Sequence, residues 1–188
     1  PRQSLRTCER EQMRPEPDCS LCPLCSGRTN IVLPDGNPDT GIVLVGEAPG
    51  ENEDLEGRPF VGRSGKILGA MMEEAGFDRS DVLITNTVKC RPPGNRDPTR
   101  EEMAACRPFL ESELIGARVV VGLGKSACRD LMGYDGPMAD VVNIPTTIRV
   151  GDRDVPFIPT YHPAATIYNK NSRAELKRAM QILKGMME

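Results

Sequence analysis

Short apolar runs recur along this chain, and stretches with helical periodicity separate them. Four runs rich in β-branched and aliphatic residues predict buried strands, at residues 42–45, 82–84, 119–121 and 155–158. Strands that alternate with helices form mostly parallel sheets with helices on both faces. The pattern therefore predicts an α/β fold: a single-domain three-layer α/β/α sandwich around a central four-stranded, mostly parallel sheet.

Three segments repeat apolar residues at helical spacing and predict the covering helices. The first spans residues 66–75, the second begins at Thr99, and the third begins at Ser172. A glutamate stands three residues after Thr99 and after Ser172, which is the pattern of a capping box. We expect the third helix to close the fold.

Two segments fall outside this alternation. Residues 1–18 are rich in Arg, Glu and Pro without apolar periodicity and are predicted to form an N-terminal arm, which leaves residues 19–188 as the domain. Residues 144–158 predict a peripheral hairpin that turns at Gly151 and Asp152. A length of 188 residues with 38% apolar residues suits one compact core.

The composition of the chain predicts where the protein is located and how it could bind nucleic acid. The chain has no run of about 18 apolar residues and no apolar stretch at its N-terminus, so we expect neither a membrane span nor a signal peptide, and a cytoplasmic protein. The net charge of −3 gives no overall attraction to nucleic acid. A DNA contact would therefore depend on a local patch and on backbone N–H groups.

Seven cysteines in a reducing compartment favour metal ligation over disulfides. Cys19 and Cys22 form a C-x-x-C pair, and fifteen residues separate Cys90 from Cys106. Four thiolates from two distant segments suit a zinc ion or an iron–sulfur cluster, and the spacing alone leaves both open. We interpret Cys25 as a spare thiol and Cys128 as a buried apolar residue, and Cys8 has no assignment.

Four motifs each follow one predicted strand. They are GEAPG at 46–50, TNTVKC at 85–90, GLGKSA at 122–127 and YHPAA at 161–165. In open α/β sheets, ligands bind beyond the carboxyl ends of the strands. The motifs therefore predict one shared site at that edge of the sheet.

These motifs resemble those of the family 4 uracil-DNA glycosylases. The resemblance rests on GEAPGENEDLEGRPFVGRSGKIL at 46–68, TNTVKCRPPGNRDP at 85–98, CRP at 106–108 and the two later motifs, in matching order from Cys19 to the last helix. It implies a prokaryotic-type enzyme that flips deoxyuridine out of single- or double-stranded DNA, releases uracil and leaves an abasic site. We expect a monomer.

The resemblance also implies a cofactor. It places a 4Fe-4S iron–sulfur cluster on Cys19, Cys22, Cys90 and Cys106, with a structural role. A sister branch traps DNA covalently through a histidine in an inserted loop. Here the segment after Lys89 reads CRPPGNR without that loop, so we expect turnover.

Excision of a base requires a side chain that stacks on it, one that reads its edge, and one that stabilises the leaving charge. Phe60 is expected to stack, Asn86 to pair with a carbonyl and the imide N–H, and His162 to donate to the carbonyl that gains charge. Each of these residues alone is more often core, a strand cap or an ordinary loop residue. Their joint occurrence in the motifs favours function.

The GEAPG segment and the acidic stretch after it supply further candidates. Glu47 is expected on the pocket floor and Glu53 on its wall, both with catalytic roles, while Gly46 and Ala48 contact the substrate. Ala48 stands where the wider superfamily often has a water-orienting Asp or Asn, so we expect late attack by water without a dedicated base. We expect the remaining acidic residues, Glu51, Asp54 and Glu56, on the surface.

Contacts with the DNA backbone are predicted on several loops. Lys125 and Ser126 begin a helix after a glycine and could bind phosphate, although an ordinary helix cap fits equally well. Further contacts are expected from the 62–65 segment, which includes Ser64, and from Arg91 and Arg96. Ile167 is expected to fill the gap left by the flipped base, with a core position as its alternative.

Two other functions compete with excision. A noncatalytic, metal-containing module that binds uracil-DNA could keep the fold and lose activity, but the presence of Asn86, Phe60 and His162 disfavours it. A zinc-dependent enzyme is disfavoured because His162 is the only histidine and no open ligand set is evident.

Overall fold

The computed structural model describes residues 13–188, so Cys8 and most of the predicted arm lie outside it. Within this range six strands form one sheet in the order β1-β3-β2-β4-β6-β5. Their bounds are β1 Asp35–Gly36, β2 Ile42–Gly46, β3 Leu83–Asn86, β4 Val119–Leu123, β5 Thr146–Val150 and β6 Arg153–Thr160.

The four predicted strands are the parallel centre of this sheet. Val43 of β2 pairs with Leu83 of β3 on one side and with Val120 of β4 on the other, and Val120 aligns with Phe157 of β6. The predicted count of four was too low because antiparallel β1 and β5 add one strand at each edge. β1 has two residues and no apolar pattern, and β5 is the first strand of the predicted hairpin.

Helices cover both faces, which confirms the three-layer sandwich. In the described part of the chain the α-helices are α1 Glu51–Glu56, α2 Arg63–Glu74, α3 Arg100–Leu114, α4 Lys125–Met132 and α5 Lys170–Met187. Side chains of α2 and α5 share one apolar cluster with alternate strand residues such as Leu44 and Ile84. Side chains of α3 and α4 share the other with Val43 and Val45, as the alternation of strand side chains requires.

The helix starts follow from local capping. At α3 the predicted capping box is confirmed: Thr99 Oγ1 accepts from Glu102 N at 3.2 Å, and Glu102 Oε2 accepts from Thr99 N at 2.8 Å. α5 begins earlier than predicted, because the Asn169 side chain caps Asn171 N and leaves Ser172 buried inside the helix. α2 also begins earlier, at Arg63 after Gly62.

The acidic stretch after GEAPG is helical, and its placement on the surface was wrong for one residue. Asp54 is 3% exposed, and its carboxylate accepts hydrogen bonds from the backbone N–H groups of Thr29 and Asn30. α1 is therefore tied to the segment that follows the first cysteines. Glu51 and Glu56 are exposed, as expected.

A third apolar cluster lies beside the main core and contains the cysteines of the two distant segments. Leu24, Val88, Met103 and Phe109 form it together with Cys90 and Cys106, and Cys19 and Cys22 pack against it. This cluster joins the N-terminal segment, the loop after β3 and helix α3. None of the helices between residues 13 and 188 has the length and apolar character to span a membrane.

Candidate active site

A cleft of about 340 Å³ opens at the carboxyl ends of the central strands. β2 ends with Gly46, which does not line the cleft itself but leads into Glu47 and Ala48, which do. β3 ends with Asn86, and the segment after β6 brings in His162. The lining residues are Glu47, Ala48, Pro49, Gly50, Glu53, Phe60, Ser64, Asn86, Asn95, Arg96, Asp97, Pro98, His162 and Ala164. Three of the four predicted motifs therefore line this cleft, and GLGKSA meets them through the bond from Ser126 N to Glu47.

Asn86 presents an unsatisfied acceptor in this cleft. The side chain is 3% exposed, and its Oδ1 atom is buried without a hydrogen-bond partner in the described part of the chain. A buried polar atom left unpaired costs about 1–3 kcal/mol, so such an atom in a cleft indicates a ligand that supplies a donor. The residue suits recognition of a group that carries an N–H.

Phe60 and Asn86 both pack against the end of β2, which requires glycine there. A Cβ atom on Gly46 would lie 2.4 Å from Asn86 Oδ1 and 2.5 Å from the Phe60 ring. The Phe60 ring is 5% exposed, and its centroid lies 5.7 Å from that of His162 at an interplanar angle of 30°. Gly46 thus shapes the cleft by the absence of a side chain.

The backbone of Phe60 is strained and held from both sides. Its φ angle is 52°, in the left-handed region that phenylalanine rarely adopts. Arg79 donates to the carbonyl oxygens of Phe60 at 3.1 Å and Pro59 at 2.8 Å, and Asp35 accepts from the same guanidinium. These bonds hold the loop that carries the aromatic ring.

Glu53 lines the cleft and fixes the other side of the same loop. Its Oε1 atom accepts from Val61 N at 3.0 Å and Gly62 N at 2.8 Å, and its Oε2 atom accepts from Gly50 N at 3.2 Å. The residue is 8% exposed. Because both oxygens bind backbone N–H groups, the carboxylate shapes the pocket wall by joining the GEAPG segment to the Phe60 loop.

Glu47 lies at the start of α4. Its Oε1 atom accepts from Ser126 N at 3.0 Å, a favourable place for a carboxylate because of the helix dipole. Burial raises the pKa of the Glu47 carboxyl, and the charge of Asp97 adds to that rise. Gly124, at φ 101°, permits the approach, since a Cβ atom there would lie 2.5 Å from Glu47 Oε1.

His162 is a neutral imidazole with a defined donor. Its Nδ1 atom accepts from Ala164 N at 3.1 Å, so the ring proton is on Nε2. Burial lowers the pKa of His162 to about 4, against the opposing effects of Glu53 and Asp97. At neutral pH the site therefore presents an uncharged N–H donor next to the Phe60 ring.

The residues expected to contact phosphate differ in how accessible they are to a ligand. Lys125 is exposed, and Ser64 lines the cleft at the start of α2. Ser126 is 1% exposed and donates its N–H to Glu47, so it is not open to a phosphate. It is not the cap of α4 either, because Gly124 is the N-cap and the carboxylate of Glu47 accepts from the first turn.

The remaining basic residues and Ile167 lie around the mouth. Arg96 lines the cleft but pairs through two nitrogens with Glu102, at 2.9 and 2.7 Å. Arg91 donates to Asn95 Oδ1 at 2.7 Å. Ile167 is half-buried, whereas the adjacent Tyr168 is 89% exposed.

Sequence reasoning missed three participants in the site. Asn95 and Asp97 line the cleft, and they belong to the GNRDP stretch from which only Arg96 was selected. Arg79 contacts the Phe60 loop from nineteen positions further along the chain. No local pattern around Arg79 signals that contact, because it depends on how β1 and the loop before β3 meet.

The cysteines assigned to metal binding lie together. Cys19, Cys22, Cys90 and Cys106 line one small cavity, with Cys25 at the same place. Arg28 bridges the two halves of the set, since its Nη1 atom donates to Cys19 O at 2.7 Å and approaches Cys90 Sγ at 3.6 Å. Cys128 lies elsewhere, fully buried on the core-facing side of α4, as expected.

The chemistry of this donor set fits a cationic group. Burial raises the pKa of the Cys22, Cys90 and Cys106 thiols, the last to about 11, and neighbouring thiols raise each of them further. A metal centre would supply the positive charge that thiolates need here. Between residues 13 and 188 no three ligating side chains are gathered tightly enough for a single ion.

The chain is similar to several known proteins. A family model, Uracil DNA glycosylase superfamily, matches residues 33–184. The chain is similar to the Type-4 uracil-DNA glycosylases of Thermotoga maritima, at 46% identity over 85% of this chain and 82% of the relative, and of Sulfurisphaera tokodaii, at 43% over 85% and 76%. A Type-5 uracil-DNA glycosylase of Thermus thermophilus is 36% identical over 54% of this chain and 53% of the relative.

Proposed function

The chain belongs to the uracil-DNA glycosylase superfamily and, within it, to the type-4 enzymes, and on this premise we propose that it excises uracil from single- or double-stranded DNA. The reaction is hydrolysis of the N-glycosidic bond between N1 of uracil and C1′ of the sugar. Water adds to C1′, the bonding electrons leave with uracil, and an abasic site remains. The enzyme is a hydrolase of base excision repair.

Recognition of the base is assigned to Asn86 and Phe60. A flipped uracil would lie against the Phe60 ring and present its imide N–H to the unsatisfied Oδ1 of Asn86. The Asn86 amide nitrogen would donate to the adjacent carbonyl. Pairing both atoms selects uracil over cytosine, which lacks the imide N–H.

Departure of the base is assigned to His162. As the glycosidic bond breaks, negative charge grows on a uracil carbonyl, and the Nε2–H donor of the neutral imidazole would stabilise it. A preorganised donor of this kind contributes about 3–4 kcal/mol to transition-state stabilisation, or roughly a hundredfold to a thousandfold in rate.

The carboxylates of the pocket serve mainly to hold it. Glu53 fixes the loop of Phe60, and Glu47 bridges the end of β2 and the start of α4. Both carboxylates line the cleft, and their charge would favour an oxocarbenium-like sugar bound there. Water would then attack late, with Ala48 in place of a water-orienting acid.

A 4Fe-4S cluster is proposed on Cys19, Cys22, Cys90 and Cys106, which pack into the third apolar cluster while Cys25 does not. The bound group would supply folding free energy by linking the N-terminal segment to the loop after β3 and to α3. Arg28 would remain its neighbour through the contact with Cys90. The same loop carries Arg91 and Arg96 toward the mouth of the cleft.

Contact with the DNA backbone is proposed for Ser64, Arg91, Arg96 and Lys125. Lys125 is exposed at the start of α4. Ser64 lies in the first turn of α2, where the N-cap Gly62 provides no side chain to accept from the backbone N–H groups. Ile167 follows the His162 segment and remains the proposed wedge for the gap in the base stack. We also propose a monomer located in the cytoplasm, where reduced thiols persist.

The convergence of Phe60, Asn86 and His162 in one cleft carries this proposal. The test is incubation with an oligonucleotide that contains one deoxyuridine, followed by alkali to cleave abasic sites. Cleavage at uracil, and none with thymine or cytosine at that position, is the expected result. Binding to the uracil oligonucleotide without cleavage would support the rival function, a noncatalytic binding module.

A further inference from the structure

Lys89 is a charged residue with no part in the reaction described above. Its side chain is 1% exposed, although lysine is almost never fully buried without a partner. It belongs to the TNTVKC motif, between Asn86 and the cysteine ligand Cys90. Such a buried cation calls for a physical reason.

Three acceptors surround the ammonium group and match its three donors. Lys89 Nζ donates to Glu113 Oε2 at 2.7 Å, to Thr85 Oγ1 at 2.7 Å and to the backbone carbonyl oxygen of Asn86 at 2.8 Å. Thr85 Oγ1 in turn donates to Glu113 Oε2 at 2.7 Å. The network is fully paired and excludes solvent, since Glu113 is 6% exposed and Thr85 is 1% exposed.

This network joins the base-reading residue to the cysteine site. Lys89 Nζ fixes the carbonyl of Asn86, and Lys89 itself lines the small cavity that the cysteines share. Glu113 and Cys106 both lie on α3, seven residues apart, and therefore on the same helix face. A single side chain thus spans the end of β3, the loop to Cys90 and helix α3.

Stability is a weak explanation for this arrangement. A buried ion pair seldom adds stability over apolar residues of similar volume, because desolvation offsets the attraction. What it does supply is a fixed geometry, since breaking one bond leaves a buried charge unpaired. The carbonyl of Asn86 is one of its three fixed points, and the orientation of that peptide sets the direction of the Asn86 carboxamide.

We propose that Lys89, held by Glu113, is a positioning residue for uracil recognition: it fixes the Asn86 backbone so that the carboxamide meets the flipped base. The inference rests on the proposed function, because it concerns the site that reads uracil. It also links the cysteine site mechanically to the cleft, since the same lysine lines the cavity of the cysteines and directly precedes Cys90.

The test uses the paired apolar replacement Lys89→Met/Glu113→Leu, which removes both charges and keeps the volume close. Single variants leave one buried charge and are expected to lose folded yield. The double variant is expected to retain its iron content and its affinity for uracil-free DNA. Its single-turnover excision rate is expected to fall by about tenfold or more, because a small displacement in an active site has that scale of effect.

A double-mutant cycle with Asn86→Ala distinguishes a positioning role of Lys89 from a general loss of stability. If Lys89 acts through Asn86, then adding Lys89→Met/Glu113→Leu to Asn86→Ala should reduce the rate by less than about twofold further. An equal fold-loss in both backgrounds would overturn the inference. A parental rate in the double variant would overturn it as well.

The exposed pair Lys177–Glu74, at 2.8 Å, provides the matched control. Lys177→Met/Glu74→Leu removes the same two charge types from the surface and should leave the rate unchanged. Failure of the unaltered protein to excise uracil would refute the proposed function. Normal excision by both paired variants would refute only the role of Lys89.

Discussion

The Nδ1 atom of His162 accepts a hydrogen bond from the backbone N–H of Ala164 at 3.1 Å. The bond is closed within the first turn after the strand, because His162 caps the 3₁₀ helix Pro163–Ile167. An imidazolium cannot accept this bond, so the local backbone and burial both favour the neutral ring. The donor of the site is therefore available without protonation from solvent.

This geometry predicts a flat pH profile on the acid side of neutrality. The pKa of His162 is lowered to about 4, so the single-turnover rate should not change through titration of His162 between pH 8 and pH 5, and should fall near pH 4. A rate that rises as pH falls through 6.5 would show that the imidazolium is the active form.

The same shift has a consequence for stability. The pKa of His162 is lower in the folded state than in the unfolded state. The neutral ring therefore makes its full contribution to the free energy of unfolding above about pH 6.5, and this contribution is lost as the pH falls toward 4. His162 is the only histidine, so a single histidine NMR signal reports its titration directly.

Replacement of His162 by alanine tests its role as a donor to the leaving base. His162→Ala should reduce the single-turnover rate by about a hundredfold or more, because the donor acts as charge develops. Affinity for uracil-DNA, measured in the absence of turnover, should change little. A loss confined to affinity would instead identify His162 as a DNA contact.

The strained loop of Phe60 provides another prediction. Arg79→Met removes the donors to the Phe60 and Pro59 carbonyls and should lower both the excision rate, by about tenfold, and the free energy of unfolding, by about 1–2 kcal/mol. The matched control is Arg58→Met. Arg58, which directly precedes Pro59, contacts the same Asp35 at 3.1 Å and has 57% of its side chain exposed, but in the described part of the chain it does not donate to the Pro59 or Phe60 carbonyl. Equal effects of the two variants would contradict the role of Arg79 in holding the Phe60 loop.

The parallel strands and the cleft were predictable because they depend on local patterns. The run at 42–45 is apolar on both faces, as a strand between two helix layers must be, and strand order places Gly46 and Asn86 at the same edge. The capping box of Thr99 and Glu102 predicts the start of α3. In each case residues within a few positions determine the outcome.

The features that could not be predicted from the sequence depend mostly on contacts between residues that are far apart in the chain. Asp54 lies in an acidic stretch that is typical of a surface, yet the N–H groups of Thr29 and Asn30 bury it. Ser126 follows a glycine as a phosphate-binding residue would, yet Glu47, 79 positions earlier, takes its N–H. α5 begins at Lys170 and not at Ser172, because the side chain of Asn169 accepts a hydrogen bond from Asn171 N and caps the helix there.

The cysteine site predicts a measurable iron content. The purified protein should be brown and contain about four irons per chain, and Cys90→Ser should lower the folded yield before it alters chemistry, because lost ligation removes folding free energy. Cys25→Ser is the matched control: it lies at the same cavity, outside the assigned four, and should retain the iron. Stoichiometric zinc in anaerobically prepared protein, or a stable and fully active Cys90→Ser variant, would contradict the assignment.

Replacement of Asn86 by aspartate gives the most direct test of base reading, because it preserves size and exchanges a donor for an acceptor. Uracil presents a carbonyl beside the imide N–H, and the carboxamide satisfies both, whereas an ionised carboxylate repels the carbonyl. Asn37→Asp makes the same change outside the cleft, at the N-cap of the 3₁₀ helix Pro38–Thr40, and keeps the oxygen that accepts from Asp39 N, so it should leave the rate within about threefold.

Asn86→Asp itself should lower uracil excision by roughly two to four powers of ten, because a repelled polar group in a buried site costs a few kcal/mol. Cytosine offers an amino donor at that edge, so residual activity should shift toward cytosine. Protonation would restore a donor to the carboxyl group, and excision of uracil should therefore recover in part as the pH is lowered toward 5. The measurement is the single-turnover rate on uracil and cytosine oligonucleotides at pH 5 and pH 7.5. Parental excision of uracil at pH 7.5 would mean that Asn86 does not read the base, and that the unsatisfied Oδ1 atom serves some other ligand.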